Sequence, residues 1–252
     1  MVIYTTDAIV LNNRKYSDSS LICNLYSKDY GKLSIIAKGV RKVKNLNGAI
    51  LQPLNHINLV YYFKSKRNIQ TYKEASIIKK YDDISKNYNK ILISSVILDM
   101  INYSSIEDNP CDIIFRLTNK TLDKINSSES TNIFYYFIFF NIQLLIYLGY
   151  KPLIKRCYKC SKTLDNASFN DKSGQLECTS CCSSNIKLNA NSIQLINKFF
   201  NTHIDKINTH FNLDNGTLNN IKKYFFHYIL HHITNMKKSK AYINFNKKYD
   251  SI

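Results

Sequence analysis

Hydrophobic and polar positions alternate along the first 80 residues. The runs "TTDAIVLNN", "SLICNLYS", "GKLSIIAKG", "HINLVYYFK" and "NIQTYKEASII" are rich in β-branched and aromatic residues, with a period of two clearest at Ile57, Leu59, Tyr61 and Phe63. Turn-forming stretches separate them: "NNRKYSDS", "KDYGK" with Gly31, and "KGVRKVKNLNG" with Gly39 and Gly48. Five short strands packed this closely predict a small closed barrel, with the OB-fold as the natural candidate and an SH3-like barrel giving a similar pattern.

After Tyr81 the period lengthens to that of a helix. "DDISKNYNKILISSVILDMINYS" opens with Asp82 and Asp83, which favour a helix N-terminus, and spaces Ile84, Tyr88, Ile91, Leu92 and Val96 along one face. "PCDIIFRLTNKTLDKI" begins with Pro110 at a first helical position. An aromatic helix then runs from Ile133 towards Gly149, with Pro152 just beyond. "ANSIQLINKFFNTHI" and "TLNNIKKYFFHYILHHITNMKKS" resume the helical spacing, the latter with Thr217 as its cap. The expected architecture is α+β: a five-stranded OB-fold barrel over residues 1–80, then an α-helical domain over 81–252 with an inserted four-cysteine zinc ribbon at 155–184.

The aromatic segment "IFYYFIFFNIQLLIYLGY" approaches membrane-spanning length and is followed by Lys151, Lys155 and Arg156. Asn141 and Gln143 lie in its middle, and its four tyrosines each require a hydroxyl partner, so it reads as a buried core helix and no membrane is expected. The N-terminus "MVIYTTDAIVL" lacks the basic lead and long apolar run of a signal peptide. The expected location is therefore the cytoplasm, where thiols stay reduced and clustered cysteines point to metal.

Charge sharpens this picture. The chain carries 35 Lys and Arg against 18 Asp and Glu, a formal net charge of +17. Residues 1–80 hold 14 basic and 4 acidic side chains, residues 81–150 hold 5 and 8, and residues 151–252 hold 16 and 6. An AT-rich genome would add lysines without purpose, but that bias does not explain the acidic middle. Two basic regions flanking it predict a polyanion partner.

Five of the seven cysteines fall between Cys157 and Cys182. Cys157 and Cys160 form one C-x2-C and Cys178 and Cys181 another, a spacing typical of paired zinc knuckles. Four thiolates offer the soft tetrahedral set that zinc prefers, and they close its coordination shell, so the expected zinc is structural. Cys182 is an alternative to Cys181 as the fourth ligand. The i, i+4 pair His227 and His231, with His232, has no acidic or cysteine companion and reads as packed or surface histidine.

The basic residues between strands form three clusters. Lys38, Arg41, Lys42 and Lys44 follow the third strand; Lys64, Lys66 and Arg67 occupy a later turn; Arg14, Lys15 and Tyr16 lie in "NNRKYSD". Lysines that track phosphates and aromatics that stack on bases make these loops candidates for a single-strand binding surface. Lys222, Lys223, Lys237, Lys238 and Lys240 give a second basic element near the C-terminus.

Taken in order, "GKLSIIAKGVRKVKN", "LQPL", "LGYKPLIKRCYKC" and "YILHHITNMKKSK" resemble the bacterial DNA repair protein RecO family, across nearly the whole chain. Three departures are Ser161 where glycine is common, "KSG" at 172–174 in place of "GG", and Asn45 where serine is frequent. The resemblance implies an OB-fold followed by a helical domain with a zinc motif. It also implies binding of single- and double-stranded DNA and annealing of complementary strands. The implied partners are RecR and often RecF, in loading RecA onto DNA coated by single-stranded DNA-binding protein. Lys222 and Lys223, with neighbouring apolar residues, are the expected site for that coat protein's acidic C-terminal tail. The implied mechanism is electrostatic and makes no bond, so no enzyme activity is expected. The alternative is a zinc-ribbon RNA-binding or transcription-associated protein.

Overall fold

Each of the alternating runs becomes a strand in the computed structural model: β1 (Val2–Tyr16), β2 (Ser20–Ser27), β3 (Gly31–Ala37), β4 (His56–Phe63) and β5 (Ile69–Lys79). They close in the order β1-β2-β3-β5-β4, with β3 and β5 parallel and every other pair antiparallel. This is the OB-fold. Period two sends Ala8, Leu25, Ile35, Ile57, Leu59 and Tyr61 inward, where all are almost fully buried. Tyr4, Tyr30 and Phe63 stack near one mouth, with Tyr4 centred 5.1 Å from Tyr30 and 4.9 Å from Phe63.

The structure describes residues 2–42, 47–105, 110–129, 132–207 and 214–250. They form two compact units, Met1–Ser127 and Ser128–Ile252.

Two stretches on which the family resemblance rested have structural roles in the barrel. The one-turn helix α1 (Asn47–Ile50) begins where Gly48 passes so close to Val40 that a Cβ would lie 2.8 Å from its carbonyl oxygen. The "QPL" stretch then ties this turn to β1. Gln52 donates to the Gly48 carbonyl at 2.8 Å, and the Leu54 amide donates to the Val10 carbonyl at 3.0 Å. Leu54 accepts a φ of 76° to do so.

Three helices complete the first unit. The helix expected from Asp82 is interrupted: α2 (Asp82–Ser85) stops, and α3 (Tyr88–Ser104) restarts under Asn87, whose side chain accepts from the Asn89 and Lys90 amides. Asn87 competes locally for those amides and so resets the helix. α4 (Asp112–Ser127) begins two residues after Pro110. α3 packs on β1 and β2, and the Lys32 ammonium donates to the Asn102 carbonyl at 2.7 Å.

In the second unit, α5 (Ile133–Tyr147) is the aromatic helix, buried along almost its whole length. Gly149, at φ 82°, ends it by donating to the Ile146 carbonyl, while the Tyr150 amide reaches Leu145. Among the described residues no helix is long and apolar enough to cross a membrane. Strands β6 (Ala167–Asn170), β7 (Gln175–Glu177) and β8 (Lys187–Leu188) form a small sheet in the order β7-β6-β8. It is followed by α6 (Ala190–Phe200), α7 (Asn215–His232) and α8 (Lys240–Asp250). The cap of α7 is Asp214, which accepts from the Thr217 amide and hydroxyl; Thr217 sits inside the first turn instead of capping it.

Candidate metal centre and nucleic-acid interface

The cysteine ribbon is built from two tight knuckles. In the first, the Ser161 amide donates to the Cys157 carbonyl at 2.8 Å and the Cys157 amide to the Lys162 carbonyl at 2.8 Å. Ser161 completes that turn at φ 61°, a left-handed conformation that glycine adopts more cheaply, so the turn itself favours glycine at this position. In the second, the amides of Cys181 and Cys182 both donate to the Cys178 carbonyl. The Tyr158 amide crosses to the Leu176 carbonyl at 3.0 Å and joins the two knuckles.

This folding brings the sulfurs of Cys157, Cys160, Cys178 and Cys181 within 4.8 Å of one another. A tetrahedral ion with bonds of about 2.3 Å to sulfur sets its sulfurs about 3.8 Å apart. Cys160 and Cys178 stand at that spacing, 3.8 Å. Cys182 lies outside the cluster, half-buried.

The electrostatics suit a cation. Burial alone would push the Cys157 thiol up, but the amides of Cys178, Cys160 and Lys159 outweigh it and bring the group down to about 6. The Cys178 amide lies 3.2 Å from the Cys157 sulfur. Cys178 is also lowered, chiefly by its hydrogen bond with Cys181, and Cys181 is pushed up to about 12 as the partner that keeps its proton. A soft cation displaces such protons and takes the four sulfurs as a closed shell with no position left for water. By contrast Cys23, in the barrel interior, is pushed up to about 12 by burial and is an inert core thiol.

The ribbon is also seated from below. A Cβ on Gly174, at φ 67°, would lie 2.2 Å from the His231 ring, so only glycine fits the hairpin against α7. Phe169 meets Tyr224 and Tyr228 of α7 at ring-centre distances of 5.8 and 6.1 Å. His227 pairs with Asp171 at 3.5 Å, and His231 and His232 contact each other, so the three histidines serve packing of this hairpin.

The basic residues of the barrel divide between its two ends. Arg14 and Lys15 lie in the last turn-ward residues of β1, not in a loop as expected, because the ladder with β2 continues to Tyr16 opposite Ser20. The following turn meets the connection after β3, where the Arg41 amide donates to the Ser19 carbonyl at 2.9 Å and its guanidinium to the Ser17 carbonyl at 3.2 Å. Arg14, Lys15, Lys38, Arg41 and Lys42 are thus brought to one end, all exposed. Lys44 lies outside the described residues. Lys64, Lys66 and Arg67, also exposed, occupy the β4–β5 turn at the opposite end, since β5 runs parallel to β3. Gln70 braces that turn, accepting from the Lys64 amide at 2.9 Å and donating to the Arg67 carbonyl at 2.6 Å.

Between the two ends runs a row of polar side chains on the outer sheet face that the sequence reading missed. Asn24 donates to Asn12 at 3.0 Å and accepts from Ser34 at 2.9 Å. The alternation of polar residues opposite the core pattern was its only signal.

Lys222 and Lys223 differ in their surroundings. Lys222 lies over the Phe134 ring at 4.8 Å in a small hollow with Phe137, Phe225, Tyr242 and Phe245. Burial, helped by the nearby Lys248 charge, lowers its amine to about 8. Lys223 is exposed, a step of about 100° further round the helix.

Two family models match the chain: "Recombination protein O N terminal" over residues 1–81 and "Recombination protein O C terminal" over residues 85–241. Among similar proteins, the DNA repair protein RecO of Syntrophus aciditrophicus is 29% identical over 181 residues, covering 71% of this chain and 69% of that protein. The RecO of Thermodesulfovibrio yellowstonii is 31% identical over 182 residues, or 72% of this chain and 71% of that protein. That of Chlorobaculum parvum is 31% identical over 156 residues, or 62% of this chain and 60% of that protein. With an OB-fold, a four-cysteine ribbon in a helical unit and both family models in sequence, the chain belongs to the recombination protein O family.

Proposed function

We propose that this protein is a recombinational DNA repair mediator. It binds single- and double-stranded DNA, anneals complementary strands, and with RecR and often RecF helps load RecA onto DNA coated by single-stranded DNA-binding protein. It acts in the cytoplasm at the nucleoid and makes or breaks no bond.

The observation that carries this reading is a family OB-fold whose two rims present Arg14, Lys15, Lys38, Arg41, Lys42, Lys64, Lys66 and Arg67 exposed and without ion pairs among the described residues. Cations left uncompensated in this way gain most by displacing counterions from phosphate. Repulsion between two strands falls when one basic surface holds them, and base pairing then supplies the driving force. Cys157, Cys160, Cys178 and Cys181 hold a structural zinc ion, which supplies a cross-link and no catalysis. The acidic tail of the coat protein docks at Lys222 and the aromatic hollow beside it, with Lys223 at the edge.

The test is the salt dependence of binding to a labelled single strand. Each phosphate contact contributes a slope of about 0.7 in log affinity against log salt. Arg41→Glu with Lys42→Glu should weaken binding and flatten the slope by about 1.4. An unchanged slope removes this rim from the DNA surface.

A further inference from the structure

Beside the first knuckle, segment 151–158 and α6 face each other across a groove of about 1060 Å3. One wall carries Lys151, Lys155 and Arg156. The other is the polar face of α6, where Gln194, Asn197 and Asn201 recur at helical spacing around Lys198. Among the described residues no carboxylate lines the groove.

The basic wall is held in place. The Leu164 amide donates to the Lys155 carbonyl at 3.1 Å, Arg156 bridges to Thr163, and Lys151 sits 5.3 Å over the Phe200 ring. Cys157 reaches the groove wall, so the cysteine cluster anchors this side. Tyr158, 58% exposed, stands at the edge with its backbone fixed to Leu176.

Pockets for a single small ligand run to about 1,000 Å3 and are mostly apolar and enclosed. This groove is as large but open, and it sets Lys151, Lys155, Arg156 and Lys198 beside the apolar Leu153 and Phe200, which suits a polyanion that also has an apolar face. The contrast between its walls narrows the choice. The groups on offer are cations, a row of side-chain amides and an exposed tyrosine ring. A nucleic acid strand uses all three: phosphates on the cations, base edges on Asn and Gln, and a base face on tyrosine.

We propose that this groove binds a segment of single-stranded nucleic acid, its phosphates along Lys155, Arg156 and Lys198 and a base stacked on Tyr158. The inference rests on the nucleic-acid reading above and adds a strand site in the unit that does not contain the barrel. A protein that pairs two strands has to hold both.

The experiment titrates the full-length, metal-loaded protein with fluorescein-labelled oligothymidylate at several salt concentrations. Lys155→Glu with Lys198→Glu should weaken binding at least tenfold and lower the salt slope by about 1.4. Tyr158→Ala should weaken binding about tenfold and leave the slope unchanged, while Tyr158→Phe binds as the parent does. A strand carrying 5-iodouracil should photocross-link to Tyr158 in the unaltered protein. Metal content and melting temperature equal to the parent's show that each variant folds. Parent-like affinity and slope in the groove variants, with binding still lost in Arg41→Glu/Lys42→Glu, overturn the groove and spare the barrel reading. If neither set changes binding, both readings fall. If an aspartate-rich peptide, but not the strand, loses affinity in Lys155→Glu/Lys198→Glu, the groove is a peptide site and the inference is wrong.

Discussion

The barrel and the cysteine ribbon hold their shapes by different means. The barrel encloses an apolar interior running from Ala8 to Tyr72 and satisfies its backbone in a closed ladder with no free edge. The ribbon, 155–184, buries only Cys157, Leu164, Ala167, Phe169 and Leu176 among its hydrophobic residues, and its strands β6 and β7 are four and three residues long. Apolar burial of that size does not offset the entropy of ordering thirty or so residues at about 1–2 kcal/mol each. On the proposed reading, four thiols around one cation supply the difference. With a structural zinc, the same chain would stabilise one basic surface by a core and the other by coordination, and the two should fail under different insults.

The largest expected effect separates them. Cys157→Ser, or prolonged chelation, should abolish stoichiometric zinc and expose ribbon amides to hydrogen exchange, while the amides of β2 and β3 stay protected. Loss of protection in both units at once would mean that the ribbon is not an independent element. In the converse experiment, Leu59→Ala opens a cavity in the barrel and should cost about 3 kcal/mol in denaturant unfolding, with zinc content unchanged.

Smaller changes probe the ribbon's seat. Gly174→Ala imposes a left-handed φ on alanine and drives a Cβ into the His231 ring, and should lower the melting temperature by an amount equivalent to about 2 kcal/mol. Ser161→Gly relieves strain at φ 61° and should stabilise the metal-loaded protein by up to about 1 kcal/mol. A loss of stability there would show that the serine side chain contributes more than its backbone costs.

The smallest effect concerns pH. Lys222 is held at about 8 in the folded protein against 10.5 for the unfolded amine, so between these values the unfolded chain binds more protons. Burial of the ammonium therefore opposes folding fully below pH 8, and this penalty disappears as the pH rises to 10.5. Lys222→Met should flatten the stability profile in that window. An unaltered profile would place the amine in water and weaken its assignment to the aromatic hollow.

Much of this was legible in the sequence, for physical reasons. All five strands were, because an enclosed barrel demands strict alternation, as at Ile57, Leu59 and Tyr61. The extension of β1 to Tyr16 was not, since Arg14 and Lys15 are polar residues in a hairpin ladder whose outer side faces solvent. α8 was missed because Lys and Asn dilute its apolar spacing, although Tyr242 and Phe245 are buried. Of the two adjacent candidates, Cys181 enters the cluster and Cys182 does not, a choice made by turn geometry that spacing alone left open. The groove was invisible because its walls are far apart in sequence and each, taken alone, is an ordinary polar surface.

The most direct measurement is the annealing rate of two complementary DNA strands coated with the cognate single-stranded DNA-binding protein, with and without this protein. The expected result is acceleration that disappears when the coat protein lacks its acidic tail. Tight DNA binding with no acceleration would contradict it.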